Sequence, residues 1–345
     1  MSRRSLTIVS ILFVFAGSVS LATAQTSFEP PRLPDGKPDL QGVWDFRTLT
    51  PLERPDDLSD KAILGDEETA EIEANSSARS AELNAPSTDR SELLPAGGNV
   101  GAYNHYWVDQ GAQVVDDQRT SLIVDPSDGR VPPLQPGIEM QVLSLAEDLG
   151  GPLPVRVRAA GRGTDSYEDR GLGERCLVGF NSGPPIVPAG YNQNIQLFQT
   201  SNYVVILHEM VHDARIVPLD GRDHIPDGVR QWMGDSRGYW DGDTLVVESR
   251  NFTNKTARFN PSVATAAGSG GTLHLTERFR RVDDDTLLYE FTVDDAATFT
   301  QPFTAVLPMT RGDALFEYAC HEGNYGMRNM LTGARIAENV DSSQP

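Results

Sequence analysis

From residue 194 onward, apolar, β-branched and aromatic runs recur at short intervals with turn residues between them. The runs are IQLFQ, YVVIL, ARIVPL, TLVVE, LHLTERF, TLLYEFTV, FTAVLPM and ALFEYA. The breaks include Asp220-Gly221, Asp241-Gly242 and Asp283-Asp284-Asp285. Short strands at this spacing predict a mainly β fold, an antiparallel meander closed as a calycin-like barrel or stacked as a sandwich. One run sets Leu273, Leu275, Glu277 and Phe279 against His274, Thr276 and Arg278, the alternation of a half-buried strand. A final helix is expected over residues 325–337, with Met327, Met330, Leu331 and Ala334 at helical spacing, packed on the barrel.

The first half has no such rhythm. Residues 25–60 are rich in proline and aspartate, and Gly42-Val43-Trp44 begins a short strand. That G-x-W resembles the start of a lipocalin barrel. Residues 66–94 are acidic and alanine-rich without a firm apolar stripe, which predicts a surface helix and loop. Tyr103, Tyr106 and Trp107 form an aromatic cluster in YNHYWVDQG. Residues 120–124 favour a strand ended by Asp128-Gly129 and Pro132-Pro133, residues 137–149 favour a helix, and residues 150–190 are loop-like. The expected organisation is a signal over 1–24, an irregular segment over 25–190 packed on the core, and a β core with its terminal helix over 191–338.

Residues 1–24 change the compartment. Arg3 and Arg4 precede an apolar run, and Ala22-Thr23-Ala24 offers an A-x-A cleavage site. The run is too short for a comfortable membrane anchor. An ordinary secretory signal fits best, with a twin-arginine signal as the other route, so the mature chain is expected in the periplasm or the medium. Without Arg3 and Arg4, 27 basic residues face 49 acidic ones, a net charge of −22. A polyanion is repelled by such a chain, so nucleic acid is not expected as a partner. Lys37, Lys61 and Lys255 are the only lysines, which leaves few candidates for Schiff-base chemistry. Cys176 and Cys320 are the only cysteines and read, in an exported chain, as one disulfide rather than two free thiols.

Residues 203–224 hold three of the six histidines and a literal H-E-x-x-H, His208-Glu209-Met210-Val211-His212. In a zinc hydrolase that motif lies on a helix, so both imidazoles reach one metal and the glutamate serves as base. Here Val204-Val205-Ile206 before it and Arg215-Ile216-Val217-Pro218 after it are strand-like. Positions i and i+4 of a strand stand about 13 Å apart, too far for one ion. The residues predict a hairpin: 203–207, a turn over 208–213, then 214–219. In that hairpin Glu209 and Arg215 face each other across the turn, with His212 and Asp213 beside them. They form either a rim ion pair or an acid–base group. No cofactor is expected; zinc or copper on His208 and His212 is the alternative.

Two further clusters carry polar chemistry. Gly234-Asp235-Ser236-Arg237-Gly238 matches the G-x-S-x-G nucleophile elbow, which must join a strand to a helix. Tyr239-Trp240-Asp241-Gly242 turns into TLVVE instead, so a turn-rich connector is expected, with Trp232 and Trp240 buried against the barrel. Residues 316–325 pack Glu317, Tyr318, His321, Glu322, Asn324 and Tyr325 together. They read either as a disulfide-anchored strand end with Asn324 capping the last helix, or as a pocket in which His321 and Glu322 meet Arg175.

The runs GERCLVG, HDARIVPLDGR, QWMGDSRGYWDGDTLVVESRNF, LTERFRRVDDDTLLYEFTVDD and FEYACHEGNY, with YNHYW and SLIVDPSDGR earlier, resemble a group of exported bacterial proteins. The resemblance spans most of residues 30–335 and implies no activity, so it carries over no functional residue. The residues themselves predict a barrel that binds a small organic ligand, with or without transforming it by acid–base chemistry. Glu209, His212, His321 and Glu322 are the catalytic candidates. Arg215, Arg175, Trp107, Asn104 and Arg278 are the ligand-binding ones, and the arginines suit a carboxylate-bearing ligand. A metal-dependent hydrolase and a non-enzymatic envelope or interaction protein are the other classes.

Overall fold

The computed structural model describes residues 28–85, 108–142, 164–255, 259–262, 265–267 and 270–341. The signal region and the candidates Asn104 and Trp107 lie outside them. In chain order the strands are β1 (Gly42–Asp45), β2 (Ile123–Asp125), β3 (Met140–Val142), β4 (Asn194–Gln199), β5 (Tyr203–His208), β6 (Ala214–Pro218) and β7 (Asp235–Asp241). They continue with β8 (Thr244–Arg250), β9 (Phe259–Ser262), β10 (Thr265–Ala267), β11 (His274–Arg281), β12 (Thr286–Asp294) and β13 (Phe303–Arg311). The α-helices are α1 (Asp66–Leu83) and α2 (Tyr325–Asp341).

The main sheet is antiparallel and nearly closed, in the order β6-β5-β4-β1-β13-β12-β11-β8-β7, with β2 also on β13. The alternation of apolar positions turns one face of every strand inward. Leu287, Tyr289, Phe291 and Val293 of β12 are buried, as are Phe303, Ala305, Leu307 and Met309 of β13. The barrel closes where β6 and β7 lie side by side without a ladder between them. Gly238 permits that approach: a Cβ there would stand 2.8 Å from both Leu219 Cδ2 and Val217 Cγ1.

The first half contributes strand β1, which bridges β4 and β13 inside the barrel wall. Its Trp44 is fully buried, donates Nε1–H to Leu40 O at 2.9 Å and lies under the Arg311 guanidinium, 4.0 Å from the ring centroid. Burial there, with the nearby Arg281 charge, holds Arg311 below its ordinary pKa. The first half also supplies residues 181–187, all buried. Ile186 N–H donates to Tyr289 Oη at 3.0 Å, so this segment occupies space inside the barrel wall.

Four expectations are corrected. Residues 140–142 form β3, paired with β10, because Thr265–Ala267 offers them an edge that outweighs local helix preference; 143–149 lie outside the described residues. The G-x-S-x-G stretch is strand β7, laddered along its length to β8. Ser236 is buried with its Oγ 2.7 Å from Ser249 Oγ, not displayed as a nucleophile. Residues 314–319 form no strand, since the chain has left the sheet after β13. Helix α2 is seated on residues 165–170 rather than on barrel strands: Arg335 donates to Asp165 O at 2.9 Å, and Arg170 approaches Met330 Sδ at 3.4 Å. Asn324 caps it, its Oδ1 accepting from Met327 N at 3.4 Å. Among the described residues no helix is long and apolar enough to cross a membrane.

Candidate functional site

The site begins at the turn after β5. Residues 208–213 are not helical in the way a zinc motif needs. Met210–His212 is a single 3₁₀ turn in which Val211 and His212 take φ values of 61° and 47°. A β-branched residue in the left-handed region is strained and persists only where packing holds it. Val211 is held because it is buried with Met210 and Cys176, under Phe180, Tyr191, Tyr318 and Cys320. The two left-handed residues turn His212 outward, while His208 stays buried at the end of β5. The H-E-x-x-H histidines therefore part company, one inside and one outside.

The strand ends are crossed by a strap, residues 312–324. It leaves β13 through Gly312, whose N–H donates to Val43 O at 3.0 Å. A Cβ on Gly312 would stand 2.8 Å from Asn194 Oδ1 and 3.0 Å from Val43 Cγ1, so the strap starts out close against β1 and β4. Further on, Phe316 N–H reaches Glu209 Oε1 at 3.5 Å, and Tyr318 O lies 2.9 Å from His212 Nδ1. The Cys176–Cys320 disulfide then ties the strap down, with Cα atoms 5.8 Å apart. Asn324 Nδ2 donates to Glu174 O at 2.8 Å.

The strap brings His321 to His212, with ring centroids 6.1 Å apart and ring planes at 58°. Both histidines are exposed. Beside the disulfide, residues 173–174, 317–320 and 322–324 line a groove of about 470 Å³; of its three glutamates, Glu174 is taken up by Arg170 Nη2 at 2.7 Å and by Gly171 N–H at 3.0 Å. A carbonyl oxygen only accepts, so the contact with Tyr318 O keeps the proton on His212 Nδ1 and leaves the lone pair of the neutral ring on Nε2. His212 is thereby set as an acceptor or ligand with a defined orientation.

The other predicted residues divide. Glu209 is buried and tied twice, accepting from Asn194 Nδ2 at 2.8 Å as well as from the strap, so it joins β4 to residues 312–324. The cross-turn pair of Glu209 with Arg215 does not form. Side chains alternate along β6, and position 215 points into the barrel, where Arg215 meets Glu277 at 2.5 and 2.9 Å. Tyr289 Oη donates to the same Glu277 carboxylate at 2.8 Å. Burial pushes Arg215 down, but the Glu277 charge prevails and holds it above its ordinary pKa. Burial first, then the Glu277 charge, raise Tyr289 well above the usual phenol range. Arg175 lies with its guanidinium 5.4 Å from the Tyr167 ring centroid. Arg278 is on the outward face of β11, paired with Asp241 at 2.9 Å. His224, the third histidine of its stretch, is 2.8 Å from Asp235 Oδ2 and fastens the loop before β7.

Sequence reasoning missed Glu174 and the backbone role of Tyr318; the closeness of Glu174 to Cys176 was the available signal. A larger cleft of about 1050 Å³ lies between α1 and the sheet. Its Arg47 is taken up by Asp45 and Asp109, and its Glu73 accepts from Val114 N. It contains none of the predicted residues. No known family model, curated protein or solved structure matches this chain.

Proposed function

We propose that this is an exported protein that binds a small organic ligand in the groove beside the Cys176–Cys320 disulfide, where His212 and His321 supply polar contacts and acid–base capacity. One observation carries the reading: two exposed histidines from distant parts of the chain stand 6.1 Å apart, and the neighbours of His321 on either side, Cys320 and Glu322, line a concave surface. Histidine exchanges protons near neutral pH, so a pair with one fixed tautomer suits acid–base work. The disulfide agrees with an oxidising compartment, as the apolar run over 1–24 implies. The ligand class shifts from the sequence-based expectation. Arg215 and Arg278 are spent on Glu277 and Asp241, and Arg170 on Glu174, while Glu317 and Glu322 line the groove, so a neutral or cationic ligand fits better than a carboxylate-bearing one.

A thermal-shift screen of small organic molecules tests this. A molecule present at 100 times its Kd stabilises the fold by about 2.7 kcal/mol. That gain should vanish in His321→Ala and in Glu322→Gln and persist in Arg278→Ala. Hits that ignore both groove substitutions would move the site elsewhere.

A further inference from the structure

We infer that His212 and His321 together bind one exchangeable transition-metal cation of the copper, nickel or zinc type. The inference rests on reading these two histidines as one site and names an occupant for it. The pair is not the one H-E-x-x-H suggested: His208 is buried at a strand end, whereas His321 arrives on the strap.

Two features support the ion. Imidazole nitrogens hold such metals at about 2.0–2.1 Å, so a ring centroid sits roughly 3.2 Å from the metal and two rings on one ion stand about 5–6.4 Å apart. The 6.1 Å between His212 and His321 falls in that span at an open angle of about 145° at the ion, so a tetrahedral ion would draw the two exposed rings together to about 5.2 Å. Second, Tyr318 O orients His212 through Nδ1, the outer contact that fixes a ligating histidine and leaves Nε2 to the metal. Nitrogen ligands select the ion class: imidazole suits copper, nickel and zinc, whereas magnesium and calcium want oxygen. Among the described residues no group of three or more His, Cys, Asp or Glu is arranged to hold a metal. The pair therefore leaves coordination positions to water or to a donor atom of the ligand, and the ion exchanges with solvent.

The test is calorimetric titration of the untagged, disulfide-bonded chain, stripped with EDTA and dialysed, with Cu²⁺, Zn²⁺ and Mg²⁺ in turn. One Cu²⁺ or Zn²⁺ per chain and no Mg²⁺ heat is the expected result. His212→Ala and His321→Ala should each weaken binding at least about tenfold, and His224→Ala should not change it. Thermal melts of each variant confirm that the barrel is intact; both rings are exposed, so little stability is at stake. Wild-type affinity in either the His212→Ala or the His321→Ala variant overturns the inference, and so does a Mg²⁺ response equal to that of Zn²⁺. Screening organic molecules on the same stripped protein separates the two readings. Hits lost in His321→Ala without metal binding leave the organic-ligand reading standing alone. Metal binding without such hits does the reverse.

Discussion

Arg215 is the residue whose meaning changes most between sequence and structure. In the chain it neighbours His212 and Asp213 and looks like a member of the same polar turn. In the fold it is 4% exposed and opposite Glu277, which is fully buried. Two charges taken out of water gain from each other only while both are present. Removing one leaves the other buried and unpaired, at a cost of about 3–5 kcal/mol, whereas an apolar pair of similar volume is often neutral. Arg215→Met and Glu277→Leu should therefore each lower stability by about that much. The double substitution should lose less than either single change, even though Tyr289 Oη then lacks its acceptor. Urea unfolding of the four proteins measures the coupling, and strictly additive losses would show that the pair is not energetically linked. Neither change should alter metal titration, because Arg215 lies inside the wall and the His212–His321 pair outside it.

The elements show what periodicity can and cannot convey. Apolar alternation was enough to place β4, β5, β6, β8, β11, β12 and β13, because each buries one face and a one-residue slip would expose it. The hairpin with its turn near 208–213 was also readable, since the flanking β-branched residues exclude a helix. β7 was not, because Gly234 and Gly238 look like turn residues when their neighbours are unknown. Gly234 does turn, at φ 71°, but Gly238 lies within a strand and is small because β6 crosses close to it. Residues 314–319 erred the other way. They alternate like a strand, yet past Arg311 no neighbouring strand offers them a ladder, and Phe316 is left 79% exposed. The site was legible as residue types and as a disulfide, but the strap's path over the strand ends is a tertiary fact. Gly238 also allows a direct check of barrel closure. Gly238→Val drives side-chain carbons into Val217 and Leu219, and overpacking of this kind costs about 1–3 kcal/mol. The loss should appear with faster amide exchange in β5 and β6, the side of the seam with least support. Unchanged stability and exchange would mean the seam is loose.

At the scale of the whole molecule, the barrel and the groove are held by different means. The barrel has ladders between most neighbouring strands and a continuous apolar interior. The strap has no ladder; a few hydrogen bonds and one disulfide closing 144 positions fasten it. A cross-link over so long a loop contributes on the order of 4–5 kcal/mol in the chain-entropy picture, and losing it from a small exported domain costs about 2–5 kcal/mol. Its loss should not fall evenly. Regions with few buried contacts open below the free energy of global unfolding. The satellite core of Cys176, Met210 and Val211 is small and depends on Tyr318 and Cys320 from the strap. In Cys176→Ser/Cys320→Ser, or in the wild type under a dithiol reductant, residues 312–324 should become protease-sensitive and exchange freely. β11, β12 and β13 should keep their protection, and metal titration should fall to the level of His321→Ala. Native hydrogen exchange followed by peptide mapping resolves these regions separately. If instead strap and barrel lose protection together, the groove is an integral part of the barrel's cooperative unit rather than an attachment completed by oxidation.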